Sequence, residues 1–160
     1  LIRENVKIFT RDDLVKRVRE LRESDIRVGF TNGCFDILHL GHVRYLRKAS
    51  DECDILIVGV NSDRSVKALK GPDRPVNGEK ARAEVLSELS CVGLLTIFDE
   101  DTPLELIKAV MPDVIFKGGD WKESEIVGAD EVKRNGGRVM TISYVQGFST
   151  TGIISRICAL

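Results

Sequence analysis

The run Ile55-Leu56-Ile57-Val58-Gly59-Val60 constrains the fold of this chain more than any other segment. It is unbroken, apolar and rich in β-branched residues, which fits a strand buried on both faces. Such strands belong to parallel sheets, and a parallel neighbour is reached only through a crossover, usually a helix. The rest of the chain alternates accordingly. Val28–Thr31, Val92–Phe98, Val114–Phe116 and Arg138–Ile142 read as further strands. Thr10-Arg11-Asp12-Asp13 caps a helix whose apolar residues Leu14, Val18 and Leu21 recur at helical spacing. Helices are predicted over Gly41–Ala49, Asp63–Leu69, Glu79–Leu89 and Ala129–Arg134, and one opens at Ser149. Thr102-Pro103-Leu104-Glu105 reads as an N-cap, a first-turn proline and a capping-box glutamate. Two prolines and two glycines make Lys70–Gly78 a loop. The expected fold is α/β: an open, Rossmann-like, five-stranded parallel sheet with helices on both faces. It forms a single domain, 1–160, with residues 1–24 as an N-terminal helical extension.

In sheets of this kind ligands bind beyond the carboxyl ends of the strands, near the point where strand order reverses. The chemically distinctive residues cluster there: Asn32–His42, Asn61-Ser62-Asp63, Lys117–Trp121 and Gln146–Thr151. In the first group a strand enters a glycine turn, then His39 and His42 fall three apart at a helix start, where they face the same way. Backbone N–H groups and two imidazoles at a helix N-terminus suit phosphate oxygens and charge developing on them. Gly41 lets a ligand approach the backbone. A metal would need a third ligand. The chain has no other histidine, and its four cysteines (Cys34, Cys53, Cys91, Cys158) form no C-x-x-C pair, so no protein metal site is expected.

Composition narrows the partners. Twenty-four basic against 25 acidic residues leave no broad attraction for nucleic acid or membranes. No apolar run approaches the roughly 20 residues of a membrane span, and the N-terminus lacks a signal-peptide pattern. A cytoplasmic location is the expectation.

Cys34-Phe35-Asp36-Ile37-Leu38-His39-Leu40-Gly41-His42 resembles the H-x-G-H signature of the nucleotidyltransferase superfamily related to class I aminoacyl-tRNA synthetases, and Ser149-Thr150-Thr151 resembles its second signature. Val60-Asn61-Ser62-Asp63, Leu69–Asn77, Phe98–Pro103 and Lys117-Gly118-Gly119-Asp120-Trp121 are similar to the adenylyltransferase domain of the bacterial ADP-heptose synthesis enzymes. The resemblance runs from about Val28 to Ile157. In many bacteria that domain lies behind a sugar kinase; this chain looks like the free-standing form. Cys34 matches the heptose branch, where glycerol-phosphate cytidylyltransferases usually carry threonine. Gly147-Phe148 departs from the aliphatic residue usual before the serine.

The resemblance implies transfer of AMP from ATP to a sugar 1-phosphate, D-glycero-β-D-manno-heptose 1-phosphate, giving ADP-heptose for lipopolysaccharide core synthesis. A phosphate oxygen of the sugar attacks the α-phosphorus in line, so no general base is needed. His39 and His42 stabilise the transferring phosphate and Lys70 closes over it, with Mg²⁺ accompanying ATP. Cys34, Phe35, Gly41, Arg82, Gly147, Phe148, Ser149, Thr150 and Thr151 hold the nucleotide; Asp36, Lys117 and Asp120 meet the acceptor. Lys67 is a weaker candidate beside Lys70; Trp121 reads as packing and Arg156 as surface. A homodimer or higher homo-oligomer is also implied. Two other readings stay open: a cytidylyltransferase acting on glycerol 3-phosphate or a similar alcohol phosphate, and a non-catalytic nucleotide-binding regulatory module.

Overall fold

The computed structural model describes residues 7–119 and 121–160. Strands β1 (Val28–Gly33), β2 (Ile55–Asn61), β3 (Leu94–Phe98), β4 (Val114–Gly118) and β5 (Arg138–Ile142) form one parallel sheet in the order β3-β2-β1-β4-β5. Val28 pairs with Ile55 and Gly33 with Val60, while Phe30 pairs with Ile115. Chain order therefore runs outward in both directions from β1, and the reversal falls between β1 and β4. Their carboxyl ends frame the crevice expected to take a ligand.

The described residues form seven α-helices, of which α2 to α6 lie between strands: α1 (Arg11–Glu23), α2 (Leu40–Ser50), α3 (Asp63–Lys70), α4 (Glu79–Ser87), α5 (Leu104–Val110), α6 (Ala129–Arg134) and α7 (Thr150–Cys158). The double covering predicted from the apolar run is visible along β2. Ile57 packs with Leu14, Val18, Leu106, Ile107 and Val132 on one face. Leu56 and Val58 pack with Leu46, Ala49, Ala83 and Leu86 on the other. Each face removes a set of fully enclosed aliphatic side chains from water, at about 1.5–3 kcal/mol per side chain.

Three features differ from the sequence reading. Residues 7–24 of the expected N-terminal extension contribute to the core through α1, since Leu14 and Val18 are buried and Phe9 N–H donates to the Leu95 carbonyl of β3 at 2.8 Å. The Thr10 cap itself forms as expected, accepting from the Asp13 N–H at 3.2 Å. The predicted box at Thr102–Glu105 does not form. Pro103 is the N-cap of α5 without a side-chain cap, and the Glu105 carboxylate instead pairs with Lys108 one turn on. Strand β3 starts at Leu94 rather than Val92, because Val92 N–H closes a turn onto Leu89. No described helix is long and apolar enough to cross a membrane.

Candidate functional site

The β1–α2 connection must turn sharply to bring a helix N-terminus over the sheet edge. It does so with Phe35 and Ile37 in the left-handed region (φ 47° and 52°), a conformation that costs an L-residue energy. Phe35 is compensated by burial, its ring lying against Gly33 and meeting His42 edge-on with centroids 5.4 Å apart. His39 is the N-cap of α2 in extended backbone, and His42 occupies the first turn. Their rings stack, centroids 3.8 Å apart at 22°. Gly41 has a tighter duty than open ligand access: a Cβ there would lie 2.9 Å from the His39 ring. The glycine lets that ring fold across the helix start.

Stacking and enclosure set the protonation state. Burial pushes the His42 imidazole down to about 4, the neighbouring His39 adds to this, and Asp36 opposes it. Burial lowers His39 as well. Both rings are therefore neutral near pH 7, each with one N–H to donate. The buried Nδ1 atoms of both have no hydrogen-bond partner. An Nε2–H tautomer leaves Nδ1 as an unfilled acceptor and keeps the donor for a ligand.

A cavity of about 460 Å³ opens at the crevice. Of the residues singled out from sequence, Cys34, Phe35, Gly41, His42, Lys70 and Lys117 line it, and Trp121 joins them. Lys117 is half-buried, its Nζ 5.7 Å from the Trp121 ring centroid. Burial pushes this ammonium below its ordinary value, and Cys34 opposes the shift. Burial raises the Cys34 thiol, against the cationic field of Lys70, Arg82 and Arg74. Among the described residues lining the cavity none is a carboxylate. The walls join aromatic and other apolar surface to a few polar groups, of which the Lys70 and Lys117 ammoniums and the His42 imidazole suit anions.

Other expected site residues turn inward. The Asp36 side chain is fully enclosed. It accepts from Arg74 Nε and Val76 N–H, each at 2.8 Å, and from Asn77 N–H at 3.0 Å. Burial alone would raise this carboxyl; the Asn77 and Val76 N–H groups and the Arg74 guanidinium outweigh it and hold it below the usual range. Asp36 thus anchors the loop between α3 and α4 where an acceptor contact was expected. Arg82, expected at the nucleotide, is 3% exposed and bonds the carbonyls of Cys34, Asn61 and Asn77 together with the Asp63 carboxylate. It staples the ends of β1 and β2 to that loop and does not line the cavity.

Around α7, Ser149 Oγ accepts from Gly152 N–H at 3.0 Å, an ordinary N-cap. Thr150 Oγ1 donates to the Asp36 carbonyl at 2.8 Å, while Thr151 is exposed. Gly147 (φ 81°) turns the chain so that Phe148 lies beside Gly41. Thr150 and Phe148 thereby touch the β1–α2 connection, and neither residues 147–151 nor His39 line the cavity. Lys67 and Arg156 are exposed on their helices, and Asp120 lies outside the described residues.

Sequence reasoning passed over four residues. Tyr45 lines the cavity and Thr31 bonds its hydroxyl; Tyr144 lies against Gly118 and Gly119; Arg74 holds Asp36. Tyr45 alone had a readable signal, standing three residues after His42 on the same helix face.

A parallel α/β sheet with a donor-lined crevice at its switch point, fronted by an H-x-G-H turn, defines a nucleotidyltransferase class of protein. Residues 30–156 match the cytidylyltransferase-like family pattern, and the chain belongs to that family. It is 54% identical over 145 residues to the bifunctional protein HldE of Hyphomonas neptunium, covering 91% of this chain and 30% of that one. To HldE of Rhodopseudomonas palustris (strain BisB5) it is 51% identical over 156 residues, covering 98% and 32%. The chain therefore spans about a third of the length of these curated relatives. Among solved structures, the lipopolysaccharide core biosynthesis protein from Thermoplasma volcanium GSS1 is similar at 29% identity and a TM-score of 0.62, over 75% of this chain and 97% of that one.

Proposed function

We propose that this chain transfers AMP from ATP to D-glycero-β-D-manno-heptose 1-phosphate, releasing pyrophosphate and forming ADP-heptose for lipopolysaccharide core synthesis. The observation that carries the reading is the stacked, neutral His39–His42 pair, with His42 in the wall of a donor-lined cavity at the switch point. Kinship with HldE and with a lipopolysaccharide core biosynthesis protein supports the acceptor.

In this mechanism the acceptor phosphate oxygen is already anionic, so attack on the α-phosphorus needs no base, in keeping with a cavity wall whose described residues include no carboxylate. His39 and His42 donate through Nε2–H to the transferring phosphate, where charge builds in the transition state. Lys70, at the last turn of α3, offsets charge on the β- and γ-phosphates. Backbone groups of Cys34, Phe35 and Gly41 and the Gly147–Thr151 turn hold the nucleotide; Lys117 and Asp120 receive the acceptor. Arg82 and Asp36 act by fixing these segments. Among the described residues lining the cavity no carboxylate would hold Mg²⁺, so the ion would enter together with ATP. When bound it neutralises the leaving pyrophosphate. A cytoplasmic location and assembly as a homodimer or larger homo-oligomer belong to the same reading.

Pyrophosphate release measured for ATP and CTP against heptose 1-phosphate and glycerol 3-phosphate tests it. The expected result is turnover with ATP and the heptose phosphate. Preference for CTP with glycerol 3-phosphate, or nucleotide binding with no pyrophosphate from any pair, overturns it.

A further inference from the structure

We propose that the Tyr45 hydroxyl is a hydrogen-bond donor to the phosphate of the acceptor, aimed into the cavity by Thr31. The inference deepens the reading above and rests on it.

Position comes first. Tyr45 lies on α2 three residues after His42, so the two side chains share a helix face. Its ring reaches across the crevice to β4, where a Cβ on Gly118 would stand 3.5 Å from Tyr45 Cε2. Lys117 immediately precedes that glycine and lines the same cavity. Tyr45 therefore spans the gap between the histidine wall, assigned to the nucleotide, and the Lys117 wall, assigned to the acceptor.

Proton counting then fixes the direction of the bond. Tyr45 OH and Thr31 Oγ1 are 2.7 Å apart, and neither hydroxyl has another hydrogen-bond partner among the described residues. Each hydroxyl carries one proton, so the pair uses one and leaves one. Thr31 is 1% exposed on the central strand, which β2 and β4 flank. If Tyr45 donated, the threonine proton would be buried without an acceptor, a costly arrangement. The lower-energy choice has Thr31 donating to the phenol oxygen, which leaves the phenol proton free for a partner on the side of the cavity that Tyr45 lines. Burial also pushes the ionisation of Tyr45 well above its ordinary range, against the Thr31 bond, so the proton is present at any working pH.

Chemistry selects the recipient. A phenol O–H in the same cavity as an ammonium, with no carboxylate among the described lining residues, suits an anion better than a neutral hydroxyl. The nucleotide phosphates are taken up by the histidines and Lys70. The remaining anion is the acceptor phosphate, and the donor holds it in line for attack.

The test compares Tyr45→Phe, which keeps the ring and deletes the donor, with Thr31→Val, which deletes the buried partner and keeps the donor. Steady-state kinetics with ATP and heptose 1-phosphate are paired with calorimetric binding of the sugar phosphate in the presence of a non-hydrolysable ATP analogue. Tyr45→Phe is expected to weaken acceptor binding and kcat/KM for the acceptor about 10- to 100-fold, with KM for ATP within about threefold of wild type. Thr31→Val should lose clearly less on the acceptor. Equal acceptor losses in both folded variants would mark the pair as a structural clip and overturn the proposal. So would wild-type acceptor affinity in Tyr45→Phe. If the wild-type protein neither binds nor converts the sugar phosphate, the functional reading itself fails and this one falls with it. Conversion by wild type with an unaffected Tyr45→Phe defeats the Tyr45 assignment alone.

Discussion

The first turns of α2 and α7 meet each other, yet they are held in different ways. Behind His39 and His42, helix α2 buries Leu46 and Ala49 completely in the core. Behind Ser149–Thr151, helix α7 buries no residue, and Ile157 is 60% exposed. What ties the α7 turn to its neighbour includes a single side-chain hydrogen bond, Thr150 to the Asp36 carbonyl, and the approach of Phe148 to Gly41. One half of the proposed phosphate grip is preformed by burial of apolar surface. The other is docked onto it by a few local contacts, the type of segment that opens at low free energy. The residue joining them is Asp36, whose carboxylate also holds the loop behind Lys70.

The comparison breaks most severely if Asp36 is removed. Asp36→Ala leaves Arg74 half-buried without its partner, and loss of one member of a buried pair typically costs about 3–5 kcal/mol. Urea unfolding should show a loss of that order; one below about 1 kcal/mol would mean that the junction does not depend on the carboxylate. On the preformed side, His42→Ala is expected to cut pyrophosphate release about 10²- to 10³-fold with unchanged circular dichroism. A near-wild-type rate would take the imidazole out of the chemistry.

A pH titration sharpens the same contrast. His42 is held neutral down to about 4, whereas an unfolded histidine protonates near 6.5. Between those values the unfolded state binds more protons, so stability falls as pH falls across this window, by about 3 kcal/mol in all. Asp36, held below its usual range, adds a further loss only at lower pH. Thermal melts from pH 7.5 to 4.5 should decline for wild type and decline less steeply for His42→Gln, in which the lowered His39 still contributes; parallel curves would contradict the enclosed stack. The smallest effect is expected on the docked side. Thr150→Val removes one hydrogen bond, about 1 kcal/mol or roughly fivefold in kcat/KM for ATP, with little change in melting temperature. A loss as large as that of His42→Ala would show the α7 turn to be as integral to the site as the first.

Elements were legible wherever one local property decided them. The apolar run of β2, the Thr10 cap of α1 and the serine opening α7 all rest on near neighbours in the chain. The Thr102–Glu105 box failed because an N-cap needs the right backbone entry as well as the right residues. In the structure Glu105 has Lys108 as an alternative partner. The cavity wall was partly legible through His42, Lys70 and Lys117. Tyr45 was passed over, although its spacing from His42 announced the shared face. Asp36 and Arg82 stood out as polar residues at the right strand ends, but the direction of a charged side chain is not written in its position.

By itself the sequence determined a doubly covered parallel sheet and a histidine-bearing turn at a strand-to-helix junction. Hydrophobic period, glycine and capping residues act over a few positions. Only the tertiary structure decided which polar groups face the crevice and which become staples, and that the two imidazoles are neutral. Asp36 finds Arg74 across 38 residues and Thr150 across 114. Burial, partner distance and local dielectric exist only once those segments have been brought together.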